Sequence, residues 1–340
     1  MVSLLDRRGR ALRDLRLSVT DRCNFRCRYC LPRESTGKLS FLPKSELLSF
    51  EELERVAAAF VQLGVKKIRL TGGEPLLRRE LPRLVERLRT LGVELALTTN
   101  GVLLKEQARA LRDAGLGRLT VSLDALTPEV FQALADAPGF GPADVLEGIE
   151  AAERAGFGPI KVNCVVKRST NLGEVLPLAR HFQGSGHELR FIEYMDVGTV
   201  NDWRSNEVVP SHELIERLSA LGPLARLGRN GKSDVAQLYE LPGLRLGLIS
   251  SVTEPFCGDC SRARVTADGK LYTCLFGSTF IDLRSSLRES PSALEPHALR
   301  ARLERAWRNR SDSYSEERAA RPAHRLPVVS PRVEMARIGG

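Results

Sequence analysis

Long apolar runs are missing from this chain: no stretch approaches the ~20 residues that a bilayer-spanning helix needs. The opening run MVSLLDRRGRALRDLR also lacks the apolar segment of a secretory leader. A bacterial-type cytoplasm is therefore the expected location, and no membrane is expected as a partner. Histidine is scarce, five in 340 residues, and none stands beside a cysteine group to complete a zinc site. Aromatic residues make up 6% and never interleave with a basic stripe, so a nucleic-acid partner is disfavoured. No repeat of solenoid length is present.

What remains is the composition of an ordinary globular chain, 42% hydrophobic and 27% charged. Its length suits one large α/β domain, or one domain with an appendage. The net charge of +9 fits either nucleic acid or anionic small molecules. The excess is mostly arginine interleaved with glutamate, as in Arg83, Glu86, Arg87 and Arg89, which is the pattern of solvated helix faces. Seven cysteines without a leader should be reduced, hence metal-binding or catalytic. Cys164, inside Val162-Asn163-Cys164-Val165-Val166, reads as a small buried hydrophobe.

Six β-like runs recur with helical patterns between them: Leu15–Thr20, Lys67–Thr71, Glu94–Thr99, Leu119–Asp124, Ile160–Val166 and Leu189–Tyr194. Ser49 and Glu52 form a capping box before Leu53, Val56, Phe60 and Leu63 at helical spacing. Thr127-Pro128 reads as a cap followed by proline in the first turn. Strands alternating with helices imply βαβ units and a parallel sheet. Such strands should be apolar on both faces. Here one face instead carries Arg16, Arg69, Thr98, Thr120, Lys161 and Asn163. A sheet curled so that this face lines a cavity explains the pattern. The fold class expected is α/β, a partial (βα)6 TIM-type barrel, laterally open. Residues 1–200 would form the barrel and 201–340 a C-terminal extension.

Cys23, Cys27 and Cys30 stand at C-x3-C-x2-C spacing straight after the first run. Three thiolates suit a four-iron cluster and leave one iron open to a small molecule. Cys257, Cys260 and Cys274 form a second trio, whose third member a hairpin turning at Asp268-Gly269 would return to the other two. An incidental thiol cluster or a zinc site completed from afar stays open for the first trio, and zinc for the second. Arg262 and Arg264 follow Cys260 and read as an anion clamp, or as hairpin surface charge.

The run Cys23-Asn24-Phe25-Arg26-Cys27-Arg28-Tyr29-Cys30, with Thr71-Gly72-Gly73-Glu74-Pro75 after the second run, resembles the radical S-adenosylmethionine (SAM) enzymes. The resemblance implies a [4Fe–4S] cluster on Cys23, Cys27 and Cys30. It also implies SAM on the open iron as the source of a 5′-deoxyadenosyl radical, with Tyr29, Gly73, Ser122 and Met195 contacting the cofactor. Further runs, Lys67–Arg78, Leu97–Gly101, Arg190–Gly198 and the terminal Ile338-Gly339-Gly340, are similar to one branch of that superfamily, which acts on GTP in molybdenum cofactor synthesis.

That branch implies a second [4Fe–4S] cluster on Cys257, Cys260 and Cys274, whose open iron meets guanine. GTP would be contacted by Arg16, Arg69, Thr98, Lys161, Arg262 and Arg264, and the tail ending in Gly339 and Gly340 would be needed for turnover. The reaction implied makes (8S)-3′,8-cyclo-7,8-dihydroguanosine 5′-triphosphate. A flavodoxin- or ferredoxin-like donor would supply electrons, and an accessory protein would convert the product to cyclic pyranopterin monophosphate. A homodimer stays open. Two other readings remain: a twin-cluster peptide maturase, and a non-enzymatic iron–sulfur or zinc protein that binds nucleic acid.

Overall fold

The computed structural model describes residues 4–35, 40–231, 233–288, 296–320 and 332–339. Six strands lie side by side in sequence order, all parallel: β1 (Asp14–Ser18), β2 (Lys67–Thr71), β3 (Glu94–Thr99), β4 (Arg118–Ser122), β5 (Lys161–Val166) and β6 (Glu188–Glu193). The ladders of β1, β4 and β6 sit a residue earlier than the periodicity suggests. Thr20, Asp124 and Tyr194 therefore stand in loops at the strands' C-terminal ends, where active sites of such sheets form.

Helices fill the connections: α1 (Phe50–Gln62), α2 (Leu81–Arg89), α3 (Leu104–Asp113), α4 (Pro128–Ala135), α5 (Pro142–Arg154), the short α6 (Arg168–Asn171) and α7 (Val175–Phe182). Helix α1 starts at the expected capping box, with Ser49 and Glu52 exchanging hydrogen bonds, and buries Leu53, Val56, Ala57 and Phe60 against the sheet. Truncating Phe60 to alanine in that position costs about 3–5 kcal/mol. Thr127 does precede α4, but it does not cap it. Its hydroxyl donates to Glu174 Oε1 at 2.6 Å instead, and the helix starts on the fixed φ of Pro128. Leu15, Leu17, Ile68, Leu70, Val121, Val162 and Cys164 make the outward face of the sheet and are fully buried under these helices.

The remaining strands extend both edges of the six. β7 (Ala225–Gly228), β8 (Gln237–Leu241) and β9 (Leu244–Ile249) form a meander whose β9 lies parallel to β6. β10 (Arg262–Val265), β11 (Lys270–Tyr272) and β12 (Ile281–Asp282) form another, whose β10 lies parallel to β1. The result is an open twelve-stranded sheet with β12 at one end and β7 at the other. The hairpin expected at Asp268-Gly269 joins β10 to β11, and Gly269 takes the left-handed φ of +85° that the turn requires. Helices α8 (Ser211–Leu218), α9 (Arg284–Arg288), α10 (Pro296–Arg308), α11 (Tyr314–Ala319) and α12 (Met335–Ile338) complete the described chain. Among the described residues no helix is long and apolar enough to cross a membrane.

Candidate active site

The inward face of the curled sheet lines a cavity. Arg16, Arg69, Thr98, Lys161, Arg262 and Arg264 all reach it, as do Cys257, Cys260, Cys274 and Met195. Parallel pairing of β10 with β1 brings distant residues into one row, setting Arg264 opposite Arg16 and Arg262 opposite Asp14. Among the described residues nine cationic side chains line the cavity against three acidic ones, a charge balance that suits an anion. Burial pushes the Arg16 guanidinium well below its usual range, and neighbouring Arg264, Arg262 and Arg69 push it further. Arg69 and Arg264 fall to about 10, chiefly through burial. Lys161 falls to about 7, from burial first and Arg190 second, although Glu188 lies 3.8 Å away. Asn163 Oδ1 and Arg262 Nε are buried on this face with no hydrogen-bond partner among the described residues. Such groups are costly unless a polar ligand meets them.

The first cysteine trio lies outside this lining, in the loop after β1. Phe25 anchors that loop, packing edge-on against Phe131 of α4 at 5.8 Å. Main-chain Arg26 and Arg28 donate to the carbonyls of Ala135 and Leu134 at the helix end. Cys30 N donates to Cys27 O at 2.9 Å, forming a tight turn that brings the two residues close together. Beside it, the Gly72-Gly73 turn packs directly on the chain at Thr20–Arg22: a Cβ on Gly73 would stand 2.3 Å from Arg22 O, which only glycine permits. Glu74 ties the ends of β2 and β3 together, accepting from Leu76 N, Asn100 N and Thr99 Oγ1, and burial lifts it to about 7. Tyr29 donates to Asp124 Oδ2 at 2.7 Å, so the strand-four end fixes its ring. Ser122 ends β4, half-buried. Burial raises the Cys23 thiol to about 12, with Glu74 adding to the shift, and also raises those of Cys27 and Cys30.

The second trio is built differently. Cys257 and Cys260 flank a single 3-10 turn, and Cys274 follows β11. Arg310, missed by the sequence reading, donates from Nη1 to Cys260 O at 2.7 Å and from Nη2 to Cys260 Sγ at 3.2 Å. Burial opposes ionisation of Cys260, but Arg262 and Arg310 outweigh it and bring the thiol to about 6. Cys274 rises to about 11 through burial. All six cysteines of the two trios are free of disulfides. Among the described residues no three His, Cys, Asp or Glu side chains converge as closely as a single metal ion requires. Three thiolates are the ligand chemistry of a four-iron cluster, which is larger than one ion and does not need them to converge on a single point.

The tail returns between the two regions. Gly339 O accepts from Arg264 Nη1 at 3.0 Å and Arg16 Nη1 at 3.5 Å. Its φ is +71°, and a Cβ there would lie 2.2 Å from Thr71 Cγ2. Upstream, Glu334 accepts from Thr199 N and Oγ1, while Arg332 donates to Asp196, which also accepts from Tyr314 and Arg318. Gly340 lies outside the described residues. Arg190, Thr120 and Asn163 also line the cavity. Arg190 could have been found, since it shares the inward face of β6 with Ile192 and alternates with the fully buried Leu189 and Phe191.

Comparison with known proteins agrees with this division. Residues 17–182 match the model of the radical SAM superfamily, and residues 187–316 that of Molybdenum Cofactor Synthesis C. The chain is 53% identical to the GTP 3′,8-cyclase of Xanthomonas campestris pv. campestris (strain B100), covering 98% of this chain and 97% of that protein. It is 54% identical to the GTP 3′,8-cyclase of Acidothermus cellulolyticus, over 92% and 88% of the two chains. Among solved structures, SuiB of Streptococcus suis bound to S-adenosylmethionine shares the fold. Its TM-score is 0.61 at 13% identity, over 84% of this chain and 68% of that one.

Proposed function

The chain belongs to the GTP 3′,8-cyclase family of radical SAM enzymes, and we infer that it converts GTP to (8S)-3′,8-cyclo-7,8-dihydroguanosine 5′-triphosphate, the first step of molybdenum cofactor synthesis. The observation that carries this reading is the cation-lined cavity, closed at one side by the second cysteine trio. Cys23, Cys27 and Cys30 would hold a [4Fe–4S] cluster, which together with SAM would supply the radical chemistry. The rest of the work falls to the protein.

Arg16, Arg69, Lys161, Arg262 and Arg264 hold the triphosphate, with Thr98 steering Arg69 through the 3.0 Å bond between them. Cys257, Cys260 and Cys274 hold a second [4Fe–4S] cluster at the guanine end. Tyr29, Gly73, Ser122 and Met195 orient SAM at the mouth. The reaction joins C3′ of the ribose to C8 of the base, so rigid placement of both is the main contribution. The tail that ends in Gly339 and Gly340 serves turnover, and its buried Ala336 and Ile338 help keep water from the site. Residues 1–200 carry the SAM site together with Arg16, Arg69, Thr98 and Lys161 of the GTP site, and 201–340 carry the second cluster with Arg262 and Arg264. A flavodoxin- or ferredoxin-like protein delivers electrons in the cytoplasm, and an accessory protein takes the product on to cyclic pyranopterin monophosphate.

Anaerobic incubation of the reconstituted protein with GTP, SAM and dithionite tests the reading. Expected is 5′-deoxyadenosine formed together with the cyclised nucleotide. Deoxyadenosine that appears with a peptide and never with GTP would overturn it.

A further inference from the structure

We propose that Arg310 is a positioning and charge-compensating residue of the second cysteine site; the inference rests on reading Cys257, Cys260 and Cys274 as cluster ligands. Arg310 lies 50 residues beyond Cys260, just past the end of α10, and its side chain is 1% exposed. One guanidinium grips the cysteine twice, at its carbonyl (2.7 Å) and at its sulfur (3.2 Å). The second distance is short for an acceptor as large as sulfur.

The guanidinium is itself held from every side. Its plane lies over the Trp307 ring, 4.6 Å from the centroid. Asp312 Oδ2 accepts from Nε at 3.3 Å, and Asp6 Oδ2 approaches Nη1 at 3.5 Å. Asp6 also pairs with Arg10 at 2.7 Å, and Arg10 Nη1 donates to Cys257 O at 2.9 Å. The indole of Trp307 donates to Arg10 O at 3.0 Å. The two arginines, their shared Asp6 and Trp307 thus form a buried frame that grips the cysteine loop at Cys257 and at Cys260.

Two consequences follow from this geometry. Because the same fork holds the carbonyl and the sulfur of Cys260, the Sγ cannot rotate away from the cavity without breaking the bond to the guanidinium. In addition, a donor aimed at a ligating sulfur places positive charge against the site's most electron-rich atoms, and hydrogen bonds to such sulfurs tune cluster potentials. A merely structural Arg310, present to pair with Asp6 and Asp312, would leave its shortest contacts on those carboxylates. Its shortest contact is instead on Cys260, and both carboxylate pairings are longer than either contact to that residue.

The test uses the full-length chain with Cys23, Cys27 and Cys30 changed to alanine, so that only the second site can hold a cluster. After anaerobic reconstitution, iron, sulfide and the midpoint potential are measured for this parent and for Arg310→Lys, Arg310→Gln and Arg310→Met. Expected is a midpoint that moves to more negative values in Gln and further in Met, with Lys nearest the parent and Met losing part of its iron. Gln and Met midpoints equal to the parent's overturn the inference alone. A parent holding no iron and sulfide overturns the cluster reading, and the inference with it. Should the variants not fold, electron–nuclear double resonance on the reduced parent grown with ¹⁵N-arginine decides. A coupling from an arginine nitrogen supports the assignment, and its absence overturns it.

Discussion

The two cysteine trios share a ligand count and differ in almost everything around them. Near the first, burial raises all three thiols, the thiols raise one another at Cys27 and Cys30, and carboxylates add to the shift: Glu74 at Cys23, Asp124 at Cys27 and Glu334 at Cys30. The nearby cation, Arg26, bonds the Cys23 carbonyl and not a thiol. Around the second, Arg10 holds Cys257 O, Arg310 holds Cys260, and Arg262 and Arg264 line the same cavity. Positive surroundings favour the more electron-rich form of a cluster, and negative surroundings disfavour it. The contrast suits a division of labour, in which the first site gives up an electron to SAM and the second holds a polyanionic substrate. Thiol spacing alone cannot express this. The difference lives in the second layer of residues.

The strongest way to break the comparison is to remove one trio at a time. Cys27→Ala is expected to lose about four irons per chain and all 5′-deoxyadenosine formation. Cys260→Ala should lose as much iron while still cleaving SAM, now without cyclised nucleotide. If both variants lost SAM cleavage equally, the division would be wrong. Iron analysis and chromatography of the anaerobic reaction read both outcomes.

Arg264→Ala removes a buried cation and the donor that Gly339 O accepts from. Charge-assisted bonds are worth about 1.5–3 kcal/mol, so GTP affinity should fall roughly 10- to 100-fold. SAM affinity, measured on the same preparation, should stay unchanged. Gly339→Ala places a methyl 2.2 Å from Thr71 Cγ2 in a left-handed backbone. Turnover should drop about tenfold or more, since strain and clash together exceed ~1.4 kcal/mol, and the melting temperature should fall by only a few degrees.

The smallest effect concerns pH. Lys161 is held at about 7 in the free protein. A bound triphosphate favours its charged form, so binding takes up a proton whenever the pH lies above that value. GTP affinity should therefore be flat below pH 7 and fall by up to about tenfold per unit above it. Lys161→Gln should flatten the profile, and calorimetry in buffers of different ionisation enthalpy counts the proton directly.

Much of the barrel was legible because its signals are local. The capping box at Ser49, the alternation of Arg16 with Leu15 and Leu17, and the glycines after Thr71 each act within a few residues. The six expected GTP contacts meet in one cavity because alternation places a side chain on a face whatever the fold around it. How the edge strands pair was less legible. β9 and β10 join the parallel set without the helix that normally announces such a strand, so the rhythm stops before the sheet does. Arg310 and Arg10 reach their cysteines across 50 and 247 residues of sequence, and no spacing rule links them. The same holds for Asp196, whose partners Tyr314, Arg318 and Arg332 come from α11 and the tail.

A redox titration of the fully reconstituted chain, followed by electron paramagnetic resonance, tests the contrast most directly. Two resolved reduction steps are expected, and the one at the less negative potential should vanish when Cys257, Cys260 and Cys274 are replaced by alanine. A single step, or loss of the more negative step in that variant, would contradict the electrostatic division between the two sites.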